Sequence, residues 1–227
     1  MKEFISLKEA AGMIRDGAVL MIGGFLGWGN PHRLIEEILK NGTKDLTIIA
    51  DDSPPAGFGL SKLIDAGRVS RLIVSHVGTN PNVAKQMEKK ELSVDLIPQG
   101  SLAEMIRAGG AGLGGIITPT GVSTIVEQSP FCYDRIRIDG RDYLIMKPLH
   151  ADIALICAHT ADRSGNAWFC GTTRNFNEIM PFAADLVICE ADNVVPTGEL
   201  APENVMVPGM LVDYVIDCSE DKRRFLP

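Results

Sequence analysis

The sequence predicts an α/β fold: a mostly parallel sheet with helices on both faces and one small antiparallel hairpin excursion. Short β-rich runs alternate with helix-like runs along most of the chain, and such alternation lays strands side by side in parallel with helices as the crossovers. Most strand-like runs are continuously apolar, as strands covered on both faces are. One segment differs: "RIRIDGRDYLIM" at 135–146 alternates polar and apolar residues around Asp139-Gly140, the pattern of a two-residue hairpin turn.

In chain order, "MKEFISLKEAAGMIRDG" reads as an amphipathic helix with Phe4, Ile5, Leu7, Ala11 and Ile14 among its apolar positions. Strands are expected at 18–24, 46–51, 71–76, 93–98, 153–159 and 186–192, and helices at 31–41, 58–66, 81–89, 101–108 and 174–184. Asn30 and Pro31 are suited to open the helix at 31–41 as N-cap and first helical residue. The Gly/Thr/Pro-rich stretch 109–124 reads as a long connection of the kind that carries function. No repeat, low-complexity tract or linker divides the chain, so residues 1–227 are expected to form a single domain.

A chain of 227 residues with 45% hydrophobic content can bury a full core. Its net charge of −7, with no Lys/Arg run, argues against a nucleic-acid partner. No apolar run approaches the roughly 18 residues needed to span a bilayer. The N-terminus lacks the basic start and continuous apolar stretch of a signal peptide. A soluble cytoplasmic protein without membrane association is the expectation. The five cysteines, 132, 157, 170, 189 and 218, are odd in number and contain no C-x-x-C, which suggests neither a disulfide frame nor a zinc site. Cys157 and Cys189, in strand-like runs, read as buried structural thiols. The four histidines, 32, 76, 150 and 159, have no metal-ligand spacing, so no metal is expected.

"DGAVLMIGGFLGWGNPHRLIEEIL" at 16–39 is the stretch richest in chemistry. Four glycines follow an apolar run and precede a helix. Glycine tolerates positive φ and lets a ligand approach the backbone, and the loop N–H groups with the helix N-terminus would form a site for an anion or an oxyanion. Gly24, Phe25, Leu26, Gly27, Trp28, Gly29 and Asn30 are therefore ligand-binding candidates. The alternative is a tight strand–helix turn. The spacing G-G-x-x-G-x-G is neither a dinucleotide fingerprint nor a P-loop. A G-x-G-x-x-G match at Gly110, Gly112 and Gly115 follows a helical run where a strand is required, and is read as accidental.

"DGAVLMIGGFLGWGNP" (16–31) resembles the N-terminal signature of family I CoA transferases. "SHVGTNP" (75–81), "PQGSLAEMIRAGGAGLGGIITPTGVST" (98–124), "KPLHADIALICAHTADRSGN" (147–166) and "RNFNEI" (174–179) are similar to the same family, and in particular to separate alpha subunits of the acetate/acetoacetate and butyrate–acetoacetate group. The resemblance implies a CoA-transferase-like fold and a ping-pong transfer of CoA between a short-chain acyl-CoA and a free carboxylic acid such as acetate, butyrate or acetoacetate. A glutamate attacks the thioester, and a glutamyl-CoA thioester then passes CoA to the second acid, which divides one hard exchange into easier steps. Coenzyme A enters as acyl-CoA substrate.

That glutamate belongs to a Ser-Glu-Asn-Gly type motif, which is missing from this chain. Glu203 in "PENV" and Glu190 in "VICEAD" are the nearest substitutes, and Glu190 reads more simply as a polar strand-end residue. No catalytic residue is assigned here. A beta subunit is expected to carry the nucleophile in a hetero-oligomer of two alpha and two beta chains. By resemblance the loop 24–30 contacts the acyl-CoA, Asp51 and Gln99 bind the substrate, and Gly112, Leu113 and Gly114, with Gly115, form a second wall. Phe25 and Trp28 either screen the acyl pocket from water or are ordinary core or interface aromatics. Gln99 either hydrogen-bonds a substrate oxygen through its amide or caps a strand end. His76 reads as a structural residue.

Two positions depart from the family pattern. Asp51 stands where asparagine is usual, and a second carboxylate beside an anionic acid is unfavourable unless it meets a donor or is protonated; a substrate bearing an ammonium or hydroxyl group is the expectation. Ser123 stands where glycine is usual. The stretch 129–134 carries no functional reading. A different class of function stays open: a non-catalytic acyl-CoA or sugar-phosphate binding protein on the same fold.

Overall fold

Side chains alternate between the two faces of a strand, and that parity builds two cores. Met21, Ile49 and Ile73 point into one core; Leu20, Ile22, Ile48, Leu72 and Val74 point into the other. The computed structural model describes residues 2–221, 223 and 225.

The first half of the chain runs β1 (Glu3–Phe4), α1 (Leu7–Met13), β2 (Val19–Ile22), α2 (His32–Asn41), β3 (Leu46–Ile49), α3 (Ser61–Asp65), β4 (Val69–Val74), α4 (Pro81–Glu88), β5 (Ser93–Leu96) and α5 (Gln99–Gly110). The second half is strand-rich: β6 (Ile116–Thr118), β7 (Cys132–Ile138), β8 (Arg141–Met146), β9 (Ala151–Ala158), β10 (Thr160–Asp162), β11 (Ala167–Trp168), β12 (Ala184–Ala191), β13 (Val194–Val195) and β14 (Tyr214–Asp217). Eight strands form one sheet in the order β1-β14-β12-β9-β2-β3-β4-β5, and every pairing in it is parallel. Small three-stranded sheets, β11-β10-β13 and β6-β8-β7, stand outside it.

Residues of α1 to α4 pack on one face of the large sheet, while Leu102, Met105 and Ile106 of α5 and the segment 176–183 cover the other. Helices on both faces and the parallel sheet thus match the sequence expectation. In α2, Leu34, Ile35 and Ile38 are fully buried; side chains of this size contribute about 1.5–3 kcal/mol each on burial. Gly42 ends the helix at φ 74, a left-handed terminus that glycine adopts without Cβ strain. The hairpin falls where expected, with Asp139 at φ 49 and Gly140 at φ 78, the two positive φ values of a type I′ turn.

Four local expectations are corrected. The N-terminal helix is shorter than the apolar pattern suggests: Ser6 caps it by accepting from Glu9 N (3.2 Å) while its own N–H reaches Glu9 Oε2 (2.8 Å), and Glu3–Phe4 pair with β14 as a strand. The N-cap of α2 is Pro31, not Asn30, whose side chain is engaged elsewhere. The Asn-Pro start occurs instead at Asn80-Pro81 of α4, where Asn80 Oδ1 accepts from Asn82 N at 2.9 Å. The helix expected at 174–184 is a series of 3₁₀ turns broken by Asn175, at φ 14 and ψ −126. In the stretch 109–124, residues 116–118 form β6, paired with β8, and Ser123 holds a left-handed φ of 62, which accounts for the glycine usual at that position.

Candidate functional site

Strands β2, β3, β4 and β5 step outward in one direction from the middle of the sheet, and β9, β12 and β14 step in the other. The order reverses between β2 and β9. Such a switch point opens a crevice beyond the carboxyl ends of the strands, where ligands bind in open parallel sheets. The glycine loop leaves the end of β2 there, with Gly23 N donating to Leu155 O of β9 at 3.0 Å.

Side chains from remote parts of the chain hold this loop. Asn175 Oδ1 accepts from Gly24 N (3.0 Å), and its Nδ2 donates to Trp28 O (3.0 Å). Asn177 Nδ2 donates to Gly29 O (2.9 Å), while its Oδ1 accepts from Cys157 N (3.0 Å). Asn30 donates to Gly23 O (2.6 Å) and accepts from Leu60 N (2.9 Å). Both oxygens of Asp52 take the Leu26 N–H, at 3.0 and 2.9 Å. Between Phe25 and Trp28 the backbone closes on itself through reciprocal bonds of 3.0 and 2.9 Å. A Cβ on Gly24 would stand 2.0 Å from Asn30 Nδ2, and its φ is +130, so glycine is required twice over.

These contacts narrow the expected anion site. Within Gly23–Asn30, the N–H groups of Gly27 and Gly29 are the ones left without a hydrogen-bond partner among the described residues. The N-terminus of α2 is also filled: Glu190 Oε2 accepts from Leu34 N at 2.8 Å, and Oε1 lies 2.9 Å from Arg33 Nη1. Glu190 is fully buried, and burial pushes its carboxyl up to about 7 against the opposing hydrogen bonds of Leu34 and Arg33. Arg33 also meets Asp192 at 2.8 Å, and its Nε lies 3.1 Å from Asp221 without hydrogen-bond geometry.

The loop separates two cavities. Phe25 lines one of about 400 Å³, with Asp51, Gln99, Gly100, Ala103, Arg107, Asn175, Phe176 and Ile179. Trp28 lines another of about 550 Å³, with His32, Arg33, Cys157, His159 and Asp192 among its walls. Burial, then Lys62, drives His32 down to about 4, so its imidazole is neutral near pH 7. Burial raises the thiol of Cys157 well above its ordinary value and that of Cys189 to about 12, which keeps both protonated.

Asp51 and Gln99, far apart in sequence, meet at the smaller cavity: Gln99 Nε2 lies 2.9 and 2.8 Å from the two Asp51 oxygens. Ser75 Oγ donates to Asp51 Oδ1 at 3.0 Å. Asp51 is 1% exposed, and burial raises its pKa against the hydrogen bonds from Gln99 and Ser75. Gly112, Leu113 and Gly114 are not brought to either cavity; they terminate α5, with Leu113 N bonded to Ala108 O and Gly112 at φ +67, a left-handed helix end. A Cβ on Gly110 would meet Phe182 at 2.4 Å and one on Gly115 would meet Met146 O at 2.5 Å, so close packing accounts for those two glycines of the G-x-G-x-x-G match. His76 is exposed. The residues that sequence reasoning missed are Asp52, Asn175, Asn177 and Arg33. Only the recurrence of "RNFNEI" as a family motif signalled any of them.

The coenzyme A transferase family model matches residues 4–217. The chain is 45% identical over 220 residues to the acetate CoA-transferase subunit alpha of Escherichia coli K12, covering 97% of this chain and 99% of that one. It is 42% identical over 214 residues to the acetoacetyl-CoA:acetate/butyrate CoA transferase alpha subunit of Clostridium acetobutylicum, covering 94% and 97%. The fold superposes on an acyl-CoA transferase of E. coli O157:H7, solved as a thioester complex with CoA, with a TM-score of 0.87 and 25% identity; the match covers all of this chain and 49% of that one, so this chain spans about half of it. Glutaconate coenzyme A-transferase of Acidaminococcus fermentans shares the fold at a TM-score of 0.82 and 22% identity over 94% of this chain and 75% of that one. The chain belongs to the coenzyme A transferase family.

Proposed function

We propose that this chain is the alpha half of a cytoplasmic CoA transferase that moves CoA between a short-chain acyl-CoA and a free acid such as acetate, butyrate or acetoacetate. One observation carries the reading: a glycine loop locked by three asparagines and an aspartate stands at the switch point beside an apolar cavity with no glutamate in its wall. Glu190 is engaged with Arg33 and α2, and Glu203 lies in a 3₁₀ turn at 202–204. The nucleophilic glutamate therefore comes from a beta chain, in an assembly of two alpha and two beta subunits, and the transfer is ping-pong through a glutamyl-CoA thioester.

In this arrangement the loop 24–30 forms the rigid wall against which acyl-CoA lies. Of the two loop N–H groups left without a partner among the described residues, Gly29 lies in the wall of the larger cavity, so the Gly27 N–H is the loop donor left for a carbonyl oxygen that gains charge during attack. Phe25 screens the thioester from water. Exposed Leu113, with Gly112 and Gly114, faces the partner chain and not the acyl cavity.

The test is CoA transfer from acetyl-CoA to acetoacetate and butyrate, measured on this chain alone and after co-expression with the product of the neighbouring gene. Activity of the pair alone is the expected result. Activity of the single chain would overturn the assignment of the nucleophile to a partner, and a chain that binds acyl-CoA but forms no complex would overturn the catalytic reading.

A further inference from the structure

The contact between Asp51 and Gln99 decides which end of an amide the substrate meets. An ionised carboxylate only accepts hydrogen bonds, and both Asp51 oxygens lie within 2.9 Å of Gln99 Nε2. The amide nitrogen is therefore turned onto Asp51, and the amide oxygen has no hydrogen-bond partner among the described residues. Ser75, which donates to both the carboxylate and the main-chain oxygen of Asp51 (3.0 and 2.7 Å), holds the acid in this orientation. Asp51 is buried while Gln99 is exposed in the cavity wall, so the buried acid acts on a ligand through the amide.

The rest of the wall sets the size and character of the ligand. Gln99, Ala103 and Arg107 follow one another at four-residue spacing on one face of α5. Phe25, Ala103, Phe176 and Ile179 give the cavity of about 400 Å³ an apolar middle. The other amide in the wall, Asn175, has its nitrogen engaged with Trp28 O and Thr172 O. A chain with a carbonyl near Gln99 would set acceptor against acceptor. A hydroxyl would donate to the free amide oxygen, and a plain alkyl chain would leave that oxygen to water.

Building on the proposed transferase function, we infer that Asp51 is a positioning residue that turns Gln99 to select short-chain hydroxy acids and their CoA thioesters over the corresponding keto acids. The same oxygen would accept from an ammonium group, but the Arg107 guanidinium in the same wall opposes a second cation, so a neutral hydroxyl is the better match.

The experiment uses the complex with its partner chain, acetyl-CoA as donor, and 3-hydroxybutyrate, butyrate and acetoacetate as competing acceptors. The expected kcat/KM for 3-hydroxybutyrate exceeds that for acetoacetate by about tenfold, the ratio set by one matched against one mismatched hydrogen bond. Asp51→Asn, which frees the amide to turn, removes most of that ratio. Gln99→Met, at an exposed position, removes it as well, with a thermal melt on the same preparation to show that the variant is folded. Preference for acetoacetate, or a ratio that neither substitution moves, overturns the inference. If no acid accepts CoA, the transferase reading fails separately, and the side-chain amide resonance of Gln99 decides this one. A shift on adding 3-hydroxybutyrate in the unsubstituted chain, absent in Asp51→Asn, supports it; no shift overturns it.

Discussion

Arg33 and Glu190, 157 residues apart in sequence, meet at 2.9 Å with both side chains almost wholly buried. The same carboxylate takes the Leu34 N–H at 2.8 Å, so one acid joins the end of β12 to the start of α2. Removing one partner of such a pair leaves an uncompensated buried charge, which typically costs about 3–5 kcal/mol. Arg33→Ala is expected to destabilise the chain by that order. Glu190→Gln, which keeps the shape and one acceptor, costs less. Urea unfolding midpoints check both, and equal midpoints for Arg33→Ala and the unsubstituted chain would contradict the structural assignment.

Asn175 is more exposed and holds the loop more than it holds the fold. Asn175→Ala removes bonds to Gly24 N, Trp28 O and Thr172 O. Loop disorder of this kind is expected to lower kcat/KM for CoA transfer by about tenfold or more, as small misplacements of a binding wall do, with a melting temperature shifted by only a few degrees. Steady-state kinetics and a thermal melt on the same preparation separate the two effects.

Phe25 and Trp28 look onto different cavities, although each is 41% exposed. Under the proposed function, opening the wall on the Phe25 side would admit water to the thioester. Phe25→Ala is therefore expected to raise the ratio of acyl-CoA hydrolysis to transfer by several-fold, whereas Trp28→Ala leaves that ratio alone. Free thiol release without an acceptor acid measures it.

Stability depends on pH through buried groups whose pKa the fold shifts. Burial is the main cause that raises Asp52 to about 7 from an ordinary 3.8, opposed by its bond to Leu26 and assisted by the neighbouring charge of Asp51. The folded chain thus binds a proton more tightly than the unfolded chain does. This contribution is complete below about pH 4 and is lost as pH rises through 7. Glu190 acts in the same direction. His32, lowered to about 4, acts oppositely, favouring the fold above 6.5 and losing that contribution as pH falls through 4. Burial raises Asp51 as well; Asp52→Asn removes one of these three acidic contributions, so the melting temperature is expected to fall less between pH 5 and pH 8 than in the unsubstituted chain, by about 5 °C. Thermal melts at the two pH values check it.

Much of the scaffold was legible because its signals are local. Apolar runs gave the central strands, and the Asp139-Gly140 pair gave the hairpin. The glycine loop declared itself through spacing alone. What stayed hidden depends on contacts across the chain. Asn30 looks like an N-cap beside Pro31, but tertiary hydrogen bonds to Gly23 and Leu60 recruit it elsewhere. The apolar pattern at 174–184 reads as a helix until Asn175 and Asn177 turn to serve the loop. Gln99 and Asp51 were both singled out, yet their pairing, and with it the reversal of the amide, follows from the adjacency of β3, β4 and β5 and cannot be read from either residue.

The loop's dependence on Asn175 and Asn177 also orders events during synthesis. A growing chain emerges N-terminus first, so the glycines at 23–29 leave the ribosome about 150 residues before the amides that hold them. Until β9 arrives to pair with β2, β2 is a bare edge strand of four apolar residues, a surface that invites mispairing. The first segment of the site to be made is thus the last to be finished, and the nascent first half is the stage at which this protein most needs protection from aggregation.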